Sequence, residues 1–138
     1  MTKIDYYEVR EYEEFKGAVT RFVKKKKYKK LPYQLLEVEE SLAKGDFLGT
    51  MTKKSDEPIP HEVYKLRLPN KDTKTGKSKG YRLFYMVVTQ AKIIVLMTIY
   101  YKPETEALTD NYIDGLISGI FLESLPYDDE DAEEDWDE

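Results

Sequence analysis

Basic side chains in two neighbouring predicted strands could hold a phosphate group. Alternation in VYKLRLP (63–69) places Lys65 and Arg67 on one face of that strand and the larger apolar residues on the other. Arg82 occupies the next predicted strand, GYRLFYMVV (80–88). If Arg82 shares the face of Lys65 and Arg67, three cations converge on one side of a sheet. A guanidinium group can donate two parallel hydrogen bonds to two oxygens of one phosphate. Such groups also stabilise the negative charge that develops during phosphodiester cleavage.

Further basic and aromatic residues follow these strands. The last predicted strand ends in Tyr100, Tyr101 and Lys102. The basic loop (residues 69–79), which joins the first two strands, carries Lys71, Lys74, Lys77 and Lys79. Clustered cations lower the pKa of a neighbouring lysine or tyrosine, so such a site could move protons without a histidine. A tyrosine ring could stack on a nucleobase, a contact worth about 1–3 kcal/mol.

These residues also have ordinary structural explanations. Exposed lysines in a hairpin loop protect a sheet against aggregation, and this explanation is slightly favoured for the basic loop. Lys65 and Arg67 are harder to explain in this way, because a central strand rarely places two cations on one face without a partner. The chain has 12 tyrosines, most of which we expect to pack within the fold. Alternation requires one of Tyr100 and Tyr101 to face the core.

The composition excludes several classes of protein. A chain of 138 residues can form a single hydrophobic core, and the absence of cysteine excludes a disulfide framework, thiol catalysis and cysteine-ligated metal. His61 is the only histidine, which excludes a histidine metal cluster; we expect it to be a solvated loop residue. No stretch approaches the about 20 apolar residues of a membrane span, and no apolar signal region begins the chain. We therefore expect a cytoplasmic protein with no metal, no cofactor and no membrane association.

The first part of the chain predicts a strand followed by a helical hairpin. IDYYEVR (4–10) has the tyrosines and β-branched residues of a short strand. Apolar residues then recur at helical spacing in two segments: Tyr12, Phe15, Val19, Phe22 and Val23 in the first, and Leu35, Leu36, Leu42 and Ala43 in the second. Pro32 suits the first turn of the second helix, and Gly45 suits its end. Residues 46–60 are predicted to form a loop.

The second part predicts a β-meander and a last helix. Segments 63–69, 80–88 and 91–102 are rich in β-branched and aromatic residues and are separated by turn signals. A helix follows over 109–125, where Thr109 could form the N-cap; its expected buried side consists of Ile113, Leu116, Ile117, Ile120 and Phe121. The expected fold class is α+β: an N-terminal strand, a helical hairpin, and an antiparallel meander forming a small sheet with helices on one face, then a C-terminal helix.

Charge divides the chain into two parts. The net charge is −5, but the segment DDEDAEEDWDE (128–138) holds nine acidic residues and no basic one. Residues 1–127 carry all 22 basic residues and only 18 of the 27 acidic ones, a net charge of +4. The acidic tail is expected to be disordered and solubilising. A more specific hypothesis is that the tail folds over the basic face of the sheet and competes with RNA. In this arrangement Trp136 would stack where a base would lie.

The lysine turn (residues 24–30) is a second basic feature. Its sequence, KKKKYKK, has six lysines in seven residues and follows the first predicted helix. Cations are favourable at a helix C-terminus because they meet the negative end of the helix dipole. The sequence leaves two explanations about equally favoured: a solvated helix end and an anion-binding surface.

The order of these elements and two segments resemble the RelE/ParE superfamily of toxins from type II toxin–antitoxin systems. The segments are YKLRLPNKDTKTGKSKGYRLFYMVV (64–88) and IIVLMTIYYKPE (93–104), and the resemblance covers residues 4–118. Within the superfamily the chain looks most similar to the RelE/HigB-like branch. The resemblance implies a toxin domain over residues 1–127, followed by the acidic tail over 128–138.

The resemblance implies cleavage of messenger RNA on the ribosome, in which the 2′-hydroxyl of the RNA attacks the adjacent phosphodiester. The family's basic sheet residues match Lys65, Arg67 and Arg82, and those ending its last strand match Tyr100, Tyr101 and Lys102. The predicted catalytic set is therefore Lys65, Arg67, Arg82, Tyr100 and Lys102, with Lys65 or Lys102 transferring protons. The predicted RNA-binding set is Lys71, Lys74, Lys77, Lys79 and Tyr101. Glu62 is a further, less favoured candidate for a catalytic carboxylate.

Two alternative functions compete with the nuclease. One is a non-catalytic gyrase inhibitor like the ParE branch, and the other is an inert module that binds RNA or an acidic protein. The basic cluster favours the nuclease, because inhibiting gyrase needs no phosphate-handling site. The partners that the resemblance implies are the messenger RNA on its ribosome and a cognate antitoxin protein.

Overall fold

The computed structural model describes residues 6–123, which form an α+β fold of three α-helices and a five-stranded sheet. The elements are β1 (Glu8–Glu11), α1 (Glu13–Lys24), α2 (Leu31–Ala43), β2 (Thr50–Ser55), β3 (His61–Leu68), β4 (Tyr81–Val88), β5 (Ile93–Tyr101) and α3 (Asp110–Glu123). The chain divides into two compact units at residues 107 and 108, so that α3 belongs to the second unit. Between residues 6 and 123, no helix combines the length and apolar character needed to cross a bilayer.

The sheet has the order β1-β5-β4-β3-β2. Strands β3, β4 and β5 are antiparallel neighbours, which confirms the predicted meander. Strand β1 joins the sheet beside β5 and runs parallel to it, so the predicted N-terminal strand is also present. The fold class expected from the sequence is therefore confirmed.

The prediction of a loop over residues 46–60 is wrong in its middle part. Residues Thr50–Ser55 form strand β2, which pairs antiparallel with β3 at the edge of the sheet. The sequence TMTKKS shows no clear apolar alternation because most of this edge strand is exposed. Backbone pairing with β3, rather than burial of side chains, defines the strand, and a bulge between Met51 and Lys53 interrupts its register.

The helical hairpin, α1 and α2, packs on one face of the sheet. Phe15 and Phe22 of α1 and Leu35 and Leu42 of α2 are buried, and they share a core with the sheet residues Tyr81, Leu83, Tyr85, Val87, Ile94, Leu96, Ile99 and Tyr101. These sheet residues alternate along β4 and β5, as one face of a strand requires. Leu36, expected to belong to the apolar side of α2, is instead 57% exposed.

The predicted helix ends agree with the structure. Pro32 lies in the first turn of α2, and Gly45 follows the helix with a φ of 90°, a backbone conformation that glycine adopts readily. In the second unit, Thr109 Oγ1 accepts a hydrogen bond from the Tyr112 N–H at 3.1 Å, which confirms the expected N-cap of α3. The five expected apolar residues of α3 are all buried.

Candidate functional site

The register of the sheet brings the predicted basic residues to one face. Arg67 pairs with Arg82 across β3 and β4, and Arg82 pairs with Tyr100 across β4 and β5. Lys65 precedes Arg67 by two residues and therefore points to the same side. This is the face opposite the helical hairpin, because the neighbouring residues Tyr81 and Leu83 lie in the hairpin core. The convergence on which the sequence prediction depended is present.

A cavity of about 440 Å³ lies over this row of side chains. The residues that line this cationic cavity are Lys65, Arg67, Arg82, Tyr100, Lys102, Pro103, Glu104, Thr105, Glu106 and Ala107. All five residues of the predicted catalytic set are among them. Lys102 follows β5 directly, and its backbone N–H donates to the Gly80 carbonyl at 2.9 Å, which fixes the end of the strand beside the start of β4.

Arg82 is the most constrained residue of the cavity. It is only 3% exposed, and its guanidinium donates hydrogen bonds to the carbonyl oxygens of Lys77 at 2.8 Å, Ser78 at 3.0 Å and Tyr81 at 3.1 Å. Burial, and then the nearby guanidinium of Arg67, lower the pKa of Arg82, although an arginine stays protonated under ordinary conditions. Arg82 is therefore a positive charge held in place by the backbone rather than by a carboxylate.

The four basic side chains of the cavity have no carboxylate partner in the part of the chain that the structure describes. Over residues 6–123, Lys65, Arg67, Arg82 and Lys102 form no ion pair. Like charges placed directly opposite each other on adjacent strands are destabilising, and Arg67 and Arg82 have this arrangement. An anion bound between the two guanidinium groups would relieve that repulsion, and a phosphate matches their hydrogen-bonding geometry.

Sequence reasoning missed one wall of the cavity, which residues 103–107 form. The Glu104 carboxylate in this segment forms ion pairs with Lys26 Nζ at 2.8 Å and with Arg21 Nη1 at 3.7 Å, which connect the segment to the end of α1. Glu106 lines the cavity and, among residues 6–123, forms no ion pair. The run KPETEA directly after β5 contained the signal, since it places two carboxylates beside a strand end already rich in basic and aromatic residues.

The four lysines of the basic loop do not form one group. The carbonyls of Lys77 and Ser78 contact Arg82, so the second half of the loop adjoins the cavity. The first half lies against the helical hairpin, because Gln34 of α2 contacts the carbonyl of Pro69 at 2.7 Å and the N–H of Lys71 at 3.4 Å. The four lysines are therefore divided between two parts of the loop, and none of their side chains is among those that line the cavity.

Tyr101 does not fit its predicted contact with RNA. Its side chain is buried in the core on the hairpin face, where its ring lies 5.8 Å from that of Tyr28 and 5.5 Å from that of Tyr81. Its hydroxyl shares a hydrogen bond of 3.0 Å with Thr73 Oγ1. Strand alternation gives the cavity face to Tyr100 and the core to Tyr101. Tyr100 lines the cavity with its ring stacked on Phe84, 6.5 Å between centroids.

Two other sequence expectations are corrected. His61 is not a solvated loop residue: it begins β3, is 3% exposed, and its Nδ1 lies 2.8 Å from the carbonyl oxygen of Ile59. Glu62 pairs with Val87 on the hairpin face and accepts a hydrogen bond from the Tyr64 hydroxyl at 3.1 Å. Glu62 thus lies on the opposite side of the sheet from the cationic cavity and is not part of it.

The acidic tail (residues 128–138), including Trp136, lies outside the described residues. Its expected disorder and its expected contact with the basic face both stay predictions. Over residues 6–123, no three His, Asp or Glu side chains are grouped as metal ligands would be.

Comparison with known proteins adds no relative to this description. No family model matches the chain, and no curated protein sequence is significantly similar to it. The resemblance to RelE/ParE toxins consequently stays a prediction based on the residues themselves.

Proposed function

We propose that this chain is a toxin of the RelE/ParE type that cleaves messenger RNA on the ribosome and thereby stops translation. The observation that carries the proposal is the cationic cavity, where Lys65, Arg67, Arg82, Tyr100 and Lys102 meet. The four basic side chains among them form no ion pair within residues 6–123, and guanidinium groups bind phosphate oxygens well. The proposal includes action in the cytoplasm and control by a cognate antitoxin protein.

The proposed reaction is an internal transesterification of RNA. The 2′-oxygen attacks the adjacent phosphorus, the bond from phosphorus to the 5′-oxygen breaks, and the products end in a 2′,3′-cyclic phosphate and a 5′-hydroxyl. One proton leaves the 2′-hydroxyl and one is delivered to the departing 5′-oxygen. The nucleophile belongs to the substrate, so the protein must orient it, move two protons and stabilise the extra negative charge on phosphorus.

The two arginines suit the charge-stabilising role. Arg82 is fixed by three backbone carbonyls and can present its remaining N–H groups without rearrangement, which is the preorganisation that such catalysis requires. Arg67 is exposed and lies directly across from it, so it can complete the grip on the phosphate from the solvent side. Removing one preorganised donor of this kind typically lowers a rate by about 100- to 1000-fold.

The remaining ionisable groups supply the proton transfers. Lys65 and Lys102 line the cavity beside the arginines, and each is a candidate for protonating the departing oxygen. Glu106 adds a carboxylate to the cavity lining and is a candidate for accepting the 2′-hydroxyl proton. Tyr100 lines the cavity with a largely buried ring and suits positioning of the nucleotide.

Induced expression in a bacterial host tests the proposal against its alternatives. The wild-type chain should reduce protein synthesis within minutes, before DNA synthesis falls. Arg67→Ala should lose this effect and keep its stability, because Arg67 is exposed. Lys54→Ala is the matched control: Lys54 is also exposed, but it pairs with Glu62 in the register, away from the cavity face.

The outcomes separate the three candidate functions. Early loss of DNA synthesis with intact translation would indicate gyrase inhibition and contradict the proposal. Normal growth despite abundant folded protein would indicate an inert binding module. Equal toxicity of the Arg67→Ala variant and the wild type would show that the cavity is not the functional site.

A further inference from the structure

The lysine turn (residues 24–30) is a charged surface that the proposed reaction does not use. Helix α1 ends at Lys24 and α2 begins at Leu31, and the chain reverses between them with Lys27 in the left-handed conformation, at a φ of 62°. All six lysines of the turn are exposed. Only Lys26 forms an ion pair within residues 6–123, and its partner is Glu104.

The basic loop brings two more lysines to this turn. The Asp72 carboxylate accepts hydrogen bonds from the backbone N–H of Lys30, at 3.0 and 3.2 Å, where α2 begins. Buried Asn70 holds this part of the loop in shape, because its Oδ1 accepts from the N–H groups of Asp72 and Thr73 at 3.0 and 3.1 Å. Lys71 and Lys74 flank this docked segment and therefore lie beside the lysine turn.

Eight exposed lysines thus lie in two adjoining segments, the lysine turn and the docked part of the basic loop. The Asp72 carboxylate joins the two segments and is already engaged by the backbone N–H of Lys30, where α2 begins. Apart from Lys26, none of these lysines forms an ion pair within the described part of the chain. Such a concentration of one sign attracts a polyanion, and a nucleic acid releases its condensed counterions when lysines replace them.

The surface presents charge rather than stacking rings. Tyr28, the aromatic residue of the turn, points inward: its ring lies 6.0 Å from that of Phe22 and 5.8 Å from that of Tyr101. Tyr33 of α2 is the exposed ring nearest in sequence, at 74% exposure. Single-stranded nucleic acid is usually held by stacking its bases, whereas a duplex offers its phosphates and hides its bases. A surface of many lysines and one ring matches a duplex better.

The surface also adjoins the cationic cavity. Lys26 of the lysine turn binds Glu104, which lines the cavity, so one ion pair connects the two sites. An RNA strand whose phosphodiester occupies the cavity could therefore have a folded region of RNA against the turn.

We propose that the lysine turn, together with Lys71 and Lys74, is a second RNA-binding surface that holds the phosphate backbone of duplex RNA while the cavity acts on a single strand. This inference rests on the proposed function, which supplies RNA as the substrate. It adds a partner, the double-stranded part of a folded RNA, and a separate surface that binds it.

Binding of a 16-base-pair RNA duplex to the purified full chain tests the proposal. The variant with Lys25, Lys29 and Lys30 changed to Ala should bind at least tenfold more weakly at 0.1 M salt, with a slope of log affinity against log salt smaller by about 2. Lys71→Ala with Lys74→Ala should weaken binding in the same direction and provides an independent variant. The control variant changes Lys16, Lys44 and Lys54, which are equally exposed, and removes the same charge.

The results decide between the proposal and its competitors. Weak binding by the lysine-turn variant with near wild-type binding by the control supports it. Equal losses in both triple variants, or tighter binding of polyglutamate than of the duplex, would overturn it. Duplex binding that depends on the lysine turn, in a wild-type protein that cleaves no messenger RNA, would contradict the proposed cleavage reaction alone, so that its failure remains distinguishable from a failure of this surface.

Discussion

The two arginines of the cationic cavity contribute differently to the stability of the fold. Arg67 is exposed and makes no ion pair within residues 6–123, whereas Arg82 holds three carbonyls of the chain around it. Replacing Arg82 would leave those carbonyls without their donors, which typically costs about 1–3 kcal/mol when such groups are buried. Loss of function in an Arg82 variant would therefore mix stability with chemistry, and Arg67 gives the cleaner test.

Strand alternation predicted which residues share the cavity, because a period of two is visible in the sequence. The anchoring of Arg82 could not be predicted, since it depends on the path of the basic loop. The burial of His61 escaped prediction for a related reason. PIPHEV looks like a loop running into a strand, and only the pairing of His61 with Ser55 of β2 shows that the residue already belongs to the sheet.

Two neighbouring carboxyl groups, one on α2 and one on β1, should make the stability of the fold depend on pH. Glu39 of α2 and Glu11 of β1 share a hydrogen bond beside a second cavity of about 400 Å³. Burial, and then the neighbouring Glu11, raise the pKa of Glu39 to about 7 from 4.5. The folded protein therefore keeps a proton that the unfolded chain releases, and this contribution to stability is lost as the pH rises towards and through 7.

Urea denaturation at pH 5 and pH 8 measures this effect. The free energy of unfolding of the wild type should fall by on the order of 1 kcal/mol between pH 5 and pH 8. This figure allows for the partial exposure of the two carboxyl groups, which weakens the effect. Glu39→Gln should remove that loss and should be more stable than the wild type at pH 8. Glu40→Gln, a change at an exposed neighbour, should behave like the wild type. The same pH dependence in both variants would contradict the assignment.

At the scale of elements, close packing where β4 begins positions Arg82. A Cβ on Gly80 would lie 2.0 Å from the carbonyl oxygen of Leu68 and 3.0 Å from that of Gly76. The carbonyl of Gly80 also accepts the N–H of Lys102. This glycine therefore lets the ends of three strands approach one another, and the cavity residues of each strand meet as a result.

Gly80→Ala should destabilise the fold by about 2–3 kcal/mol, since backbone atoms must shift to admit the methyl group. Gly76→Ala is the matched control, because a Cβ there meets no atom within 4 Å. The midpoints of urea denaturation compare the two variants with the wild type. Equal midpoints for both variants would show that the strand ends are not packed as described.

Elements with a strong apolar periodicity could be predicted from the sequence, whereas a strand defined by backbone pairing alone could not. The core strands and the helical hairpin follow from apolar periodicity, and the bounds of α2 and α3 agree with Pro32, Gly45 and Thr109. Strand β2 carries no such pattern, because an exposed edge strand needs few apolar residues. The docking of the basic loop by Asp72 joins residues 42 positions apart in sequence, a distance that no local pattern spans.

At the scale of the whole molecule, positive charge is concentrated on two adjacent surfaces. The cationic cavity and the lysine turn both lie in the first compact unit, connected by Glu104. The sequence showed that residues 1–127 carry a net charge of +4, but their arrangement on two surfaces required the fold. The hypothesis that the acidic tail folds over the basic face of the sheet stays a prediction.

Mapping the ends of RNA cleaved on ribosomes tests the central claim most directly. Purified full-length protein would be added to ribosomes translating a defined messenger RNA, and the product ends would be analysed chemically. We expect cleavage to a 2′,3′-cyclic phosphate and a 5′-hydroxyl, slower by at least about 100-fold for Arg67→Ala and unchanged for Lys54→Ala. Intact messenger RNA with the wild-type protein, or wild-type cleavage by Arg67→Ala, would contradict it.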